Sequence, residues 1–69
     1  MNLKDLWRTV EQQHGHVSVV IEPEGMGWRA RVVKEAGMVG QASAIMLPAA
    51  VINALRASIQ RVYKKGDTV

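Results

Sequence analysis

The chain has 69 residues, 48% of them apolar, with no cysteine, no phenylalanine and a formal charge of +3. That length leaves room for one domain and excludes most enzymes built on a separate cofactor domain, while the apolar content excludes a compositionally disordered chain. Without cysteine there is no disulfide and no thiolate-held metal to staple a core this small, and unstapled domains of this size often gain burial by dimerising or docking on a partner.

Asn2 is placed to cap a helix, with Asp5 three residues on at the positive helix end. Leu3, Leu6, Trp7 and Val10 recur at helical spacing, so an amphipathic helix is expected over residues 3–14, with Gly15 as its stop. Residues 16–22 are β-branched and bounded by Pro23 and Gly25, which predicts a first strand. Residues 28–34 alternate and predict a second. Setting Glu22 opposite Arg29 places Val20 opposite Arg31 and Ser18 opposite Val33. In that register opposite charges pair, and Val17, Val19 and Ile21 share one apolar face with Trp28, Ala30 and Val32.

Glu35, Ala36 and Gly37 read as a three-residue hairpin loop. A third strand is expected over 38–44, although Gly40 and its small neighbours lower its propensity. Pro48 suits a first helical turn, and Val51, Ile52, Leu55, Ile59, Val62 and Tyr63 form a stripe that predicts a helix over 48–65, stopped by Gly66. The fold class expected is α+β, a three-stranded antiparallel sheet with both helices on one face, in the order α-β-β-β-α.

No secretion signal is expected, because Lys4, Asp5 and Arg8 interrupt the N-terminal region. The apolar stretch 42–55 is broken by Ser43, Pro48 and Asn53 and falls short of the roughly 20 residues of a spanning helix. The expectation is a soluble, cytoplasmic protein with no membrane contact.

Catalytic and metal chemistry find little footing in the residues. His14-Gly15-His16 holds two imidazoles without a third ligand. Glu22 and Glu24 flank a proline in a turn, where carboxylates are ordinarily solvated rather than split in pKa. Gly25-Met26-Gly27 joins strand to strand, not strand to helix, and no Gly-Lys-Ser/Thr follows it, so it is not a phosphate loop. Ser18, Ser43 and Ser58 lack a nucleophile-elbow context. No catalytic residue, metal or cofactor is therefore expected.

Two surfaces remain. The sheet face turned away from the helices is expected to carry Val20, Arg29, Arg31, Val33, Val39 and Gln41, arginines set among β-branched residues as at protein–protein contacts. The basic excess lies in residues 36–69, where Arg56, Arg61, Lys64 and Lys65 stand against Asp67 alone. Those four cations form an alternative, nucleic-acid-binding set, with Arg56, Gln60 and Lys64 on one helical face. Ala49, Ala50, Ala54 and Ala57 offer a small-residue ridge for close packing on the sheet or on a second copy.

Two resemblances accompany these readings. The runs Val20-Ile21-Glu22-Pro23-Glu24-Gly25, Gly27-Trp28-Arg29-Ala30 and Ala36-Gly37-Met38-Val39, followed by the helix with Ala50 and Ala54, resemble HicB-type antitoxins over about forty residues. That resemblance implies a β-β-β-α, partly RNase-H-like unit that binds a toxin. Ala36-Gly37 stands where that family has Pro-Gly. The order α-β-β-β-α also looks like a double-stranded-RNA-binding domain, but the position of that family's lysine cluster reads Met46-Leu47-Pro48, so the RNA function does not carry over. The function expected is a non-catalytic binding protein that docks on a protein partner and inhibits or modulates it, in the manner of an antitoxin or a phage inhibitor, as a homodimer.

Overall fold

The structure, a computed structural model, describes residues 2–59. It is an α+β fold with the order α1 (Leu3–His14), β1 (Ser18–Glu24), β2 (Gly27–Lys34), β3 (Gly37–Ala44) and α2 (Leu47–Ser58). The three strands form one antiparallel sheet with β2 in the middle.

Each end of α1 has a local cause. The Asn2 side chain accepts from the Asp5 N–H at 2.9 Å, satisfying one of the donors a helix start leaves free. Gly15, at φ +83, donates its N–H to the Glu11 carbonyl at 2.8 Å. Along the helix, Leu6 and Val10 are buried and Trp7 packs against them.

β1 does not stop at Pro23. It begins at Ser18 rather than residue 16 and runs on through Pro23 to Glu24, which pairs with Gly27. A strand tolerates proline at a sheet edge, where half of the backbone N–H groups point away from the ladder. The turn is then two residues, Gly25 and Met26, with Gly25 at φ +57 in the first central position, as a type II′ hairpin requires. The anticipated pairs Glu22↔Arg29, Val20↔Arg31 and Ser18↔Val33 are all present.

The β2–β3 turn is also tighter than expected. Lys34 pairs with Gly37, so Glu35 and Ala36 alone form the loop. Beyond it the register shifts: Val33 pairs with Met38 and Val32 with Gly40, which leaves Val39 as the extra residue of a bulge.

The core is small: Leu6, Val10, Val17, Ala30, Val32, Ala50, Ala54 and Leu55. α2 lies across β3 and β2, and α1 packs beside it on the same face of the sheet. Ala50 and Ala54 are the buried members of the alanine ridge, while Ala57 is exposed, so the ridge serves chiefly as the helix–sheet contact. A Cβ on Gly40 would lie 2.8 Å from the Ser58 nitrogen and 2.9 Å from its Cα. The glycine that weakens β3 as a strand is what allows the helix backbone to approach it.

Ser58 closes that contact. Its buried hydroxyl donates to the Ala54 carbonyl at 2.7 Å, and its own carbonyl accepts from His14 Nε2 at 2.7 Å. The two helices therefore end side by side, with an α1 side chain satisfying a carbonyl that the end of α2 would leave open. α2 ends at Ser58, and Ile59 takes extended backbone (φ −74, ψ 119); residues 60–65 of the expected helix lie outside the described residues. At its start, α2 has Met46 as N-cap with no side-chain hydrogen bond and no acid in the first turn.

Two outcomes follow for stability. Gly40→Ala should cost about 1–3 kcal/mol, the range for forcing atoms into a packed core, read as a lowered urea midpoint. Met46→Asp supplies the missing cap acceptor and should raise stability by ~1 kcal/mol in the same titration.

Candidate functional site

The sheet face opposite the helices is built from alternate residues of the three strands. β1 contributes Ser18, Val20, Glu22 and Glu24, β2 contributes Arg29, Arg31 and Val33, and β3 contributes Gln41 and Ser43. Arg31 lies between Val20 and Gln41, and Arg29 between Glu22 and Ser43. The strand pleat thus brings together five of the six residues singled out for protein binding: Val20, Arg29, Arg31, Val33 and Gln41.

Val39 is not among them. It is half-buried and packs against the core cluster on the helix side. Strict alternation through β3 would turn it outward, but the bulge inserts one residue at this point and shifts the alternation.

The charges on this face are joined diagonally. The Arg31 guanidinium bonds Glu22, and Arg29 Nε pairs with Glu24. Arg29 Nη1 lies 3.9 Å from Glu22 Oε1, and the Ser43 hydroxyl donates to Glu24 at 3.2 Å. Two arginines and two glutamates therefore form one chain of contacts with no net charge. All four side chains are about 40% exposed, so each pair contributes on the order of 0.2–1 kcal/mol in water rather than the energy of a buried pair. What the network supplies is orientation: it ties each guanidinium to a carboxylate of β1 on the face that also carries Val20 and Val33.

One donor in the network is unsatisfied. Arg31 Nε is occluded from solvent and has no hydrogen-bond partner among the described residues. Such a donor costs about 1–3 kcal/mol, so Arg31 is the member of the chain left incompletely bonded in the free protein.

Glu24 is the residue of this face that the sequence pattern places elsewhere. Assigning it to a solvated turn hid its pairing with Arg29, and the length of the turn was the signal: with two residues between Glu24 and Gly27, Glu24 belongs to the strand. Glu22 was correctly set across from Arg29, but its main partner is Arg31, one diagonal away.

The histidine pair does not converge on an ion. His14 Nε2 is engaged by the Ser58 carbonyl, and His16 Nδ1 lies 3.6 Å from Glu11. No group of three or more His, Asp or Glu side chains able to hold a metal occurs among the described residues. His14 and His16 instead line an open groove of about 640 Å³ with Ser18, Val33, Lys34, Glu35 and Ala36. Of the four cations in the alternative set, Arg56 is exposed in the last turn of α2. Arg61, Lys64 and Lys65 lie outside the described residues. No described helix is long and apolar enough to cross a membrane.

Removing one acid tests the network. Glu22→Gln should cost up to about 1 kcal/mol at low salt, and the difference from the parent chain should shrink in high salt, because half-exposed pairs are screened. Paired urea titrations at the two ionic strengths measure this.

Compared with protein-family models, with curated proteins and with solved structures, the chain matches none.

Proposed function

We propose that this is a non-catalytic binding protein that docks on a protein partner through the uncovered sheet face and inhibits or modulates it, acting as a homodimer. The single observation that carries this reading is the Glu22–Arg31 and Glu24–Arg29 network beside Val20 on a face that no described helix covers. Protein interfaces favour arginine beside apolar contact area, and here the guanidinium groups are already oriented, which lowers the entropy lost on docking. The unpartnered Arg31 Nε adds a donor that an interface rearrangement would satisfy.

The neutrality of the face favours a protein over a polyanion. A phosphate backbone is held by net positive charge, and each guanidinium here already has a carboxylate. The resemblance to HicB-type antitoxins belongs with this reading, since it too implies a small sheet-based unit that binds a protein. The alternative, a nucleic-acid-binding module, rests on exposed Arg56 together with Arg61, Lys64 and Lys65.

Arg31→Glu is the discriminating variant. Affinity capture with the parent chain should retain a partner that Arg31→Glu loses, with the circular dichroism spectrum preserved. Equal capture by both would remove the sheet face from the mechanism. A gel shift at low salt that fades steeply with added salt, and is lost on Arg56→Glu, would favour the nucleic-acid reading instead.

A further inference from the structure

The sheet has two edges, and they differ. β3 carries a bulge at Val39 and glycines at 37 and 40, irregularities that discourage a further strand. β1 pairs with β2 without a register shift over seven residues, and from Ser18 to Ile21 it contains no proline, glycine or charge. Natural edges of that kind are usually blunted or covered. This one has exposed apolar side chains on both faces: Val20 is 45% exposed on the open face and Ile21 43% exposed on the helix side.

The turn determines which backbone groups of β1 are free. A two-residue turn is closed by a bond between the residues that flank it, here Glu24 and Gly27. Hydrogen-bonded pairs then alternate along an antiparallel ladder, so Glu22, Val20 and Ser18 also bond β2. The N–H and C=O groups of Val19 and Ile21 point away from the sheet. Pro23 falls in the same outward set, so its missing N–H removes nothing from the β1–β2 ladder.

We propose that this edge is the self-association surface of the protein: β1 pairs antiparallel with β1 of a second copy, about a two-fold axis at Val20, and joins the two sheets into one of six strands. The proposal deepens the reading above, since it rests on the protein acting as a homodimer and assigns the surface that makes the dimer.

A second copy is the occupant because the strand complements itself in this register. Val19 of each copy exchanges hydrogen bonds with Ile21 of the other, which uses all four outward groups. Val20 meets Val20 at a non-hydrogen-bonded pair, where side chains come closest. On the open face Ser18 stands across from Glu22 of the second copy, a hydroxyl donor against a carboxylate, twice by symmetry. Neighbouring registers lose this match. With the axis at Ile21, Glu22 opposes Val20. With the axis at Val19, Ile21 opposes Val17, which is already buried in the core. With the axis at Glu22, two carboxylates oppose each other. The merged sheet places both open faces side by side, so the docking surface is doubled in the dimer.

The test uses the full chain, whose lack of cysteine makes a single introduced thiol unambiguous. Sedimentation of the parent chain across a dilution series should give a mass twice 7.6 kDa at its upper end. Val20→Cys under mild copper oxidation should form a disulfide-linked dimer, while Ser18→Cys and Glu22→Cys should cross-link efficiently only when mixed with each other. Val20→Arg should restore the monomer mass with an unchanged circular dichroism spectrum.

A parent chain that stays monomeric throughout overturns the proposal. So does a dimer that Val20→Cys fails to cross-link, because its interface then lies elsewhere. A monomer whose capture of a partner survives Arg31→Glu but is lost on Ile21→Arg, on the helix side of β1, also overturns self-pairing and assigns the edge to a strand of that partner. Docking through the open face is judged separately by Arg31→Glu, so either idea can fail while the other stands.

Discussion

The close approach of α2 to the sheet at Gly40 is the constraint from which the other features follow. The contact has no room for a Cβ on the strand and seats a buried serine from the helix. With Ala30, Ala50 and Ala54 buried around it, the helix lies directly on β2 and β3. A core with only two buried leucines gains stability from tight contact rather than from bulk, since small side chains contribute little buried area each. The cost is borne by β3, which gives up strand propensity and takes a bulge beside the glycine.

That packing also determines what α1 and β1 can do. With α2 occupying β2 and β3, α1 packs at its side, and its C-terminal histidine meets the end of α2. Val17 is buried, but Ile21, four residues along the same face, remains open. Edge exposure is thus a consequence of having too few large side chains to cover three strands with two short helices. The opposite face receives no described helix and keeps its charges in balance through the diagonal Arg–Glu chain.

The charge arrangement shows why net charge alone is a poor guide to partners. The chain is basic overall, yet the face proposed to dock is neutral, because each arginine of β2 stands within reach of a glutamate of β1. Such a face offers shape and oriented hydrogen bonds rather than a long-range field, which suits selectivity for a particular protein surface more than electrostatic capture of a polyanion.

Much of this was legible in the residues themselves. The Asn2 cap, the Gly15 stop, the β1–β2 register and the α-β-β-β-α order all follow from local chemistry: side-chain acceptors at helix starts, glycine at left-handed positions, and alternation that pairs Glu22 with Arg29. Three features were not legible, and each depends on contacts between segments distant in the chain. Val39 faces the core because a bulge shifts the alternation of β3 where α2 presses on Gly40. β1 passes through Pro23 because that strand is an edge, a property set by which strand becomes central. Arg31 chooses Glu22 on the diagonal rather than Val20 straight across, since a flexible guanidinium seeks the nearest carboxylate in space. The sequence by itself determined the order of the elements and the β1–β2 pairing, because these rest on neighbours along the chain. The tertiary structure alone decided which edge and which face stay open, because that depends on where two helices run out of apolar surface to cover a third strand.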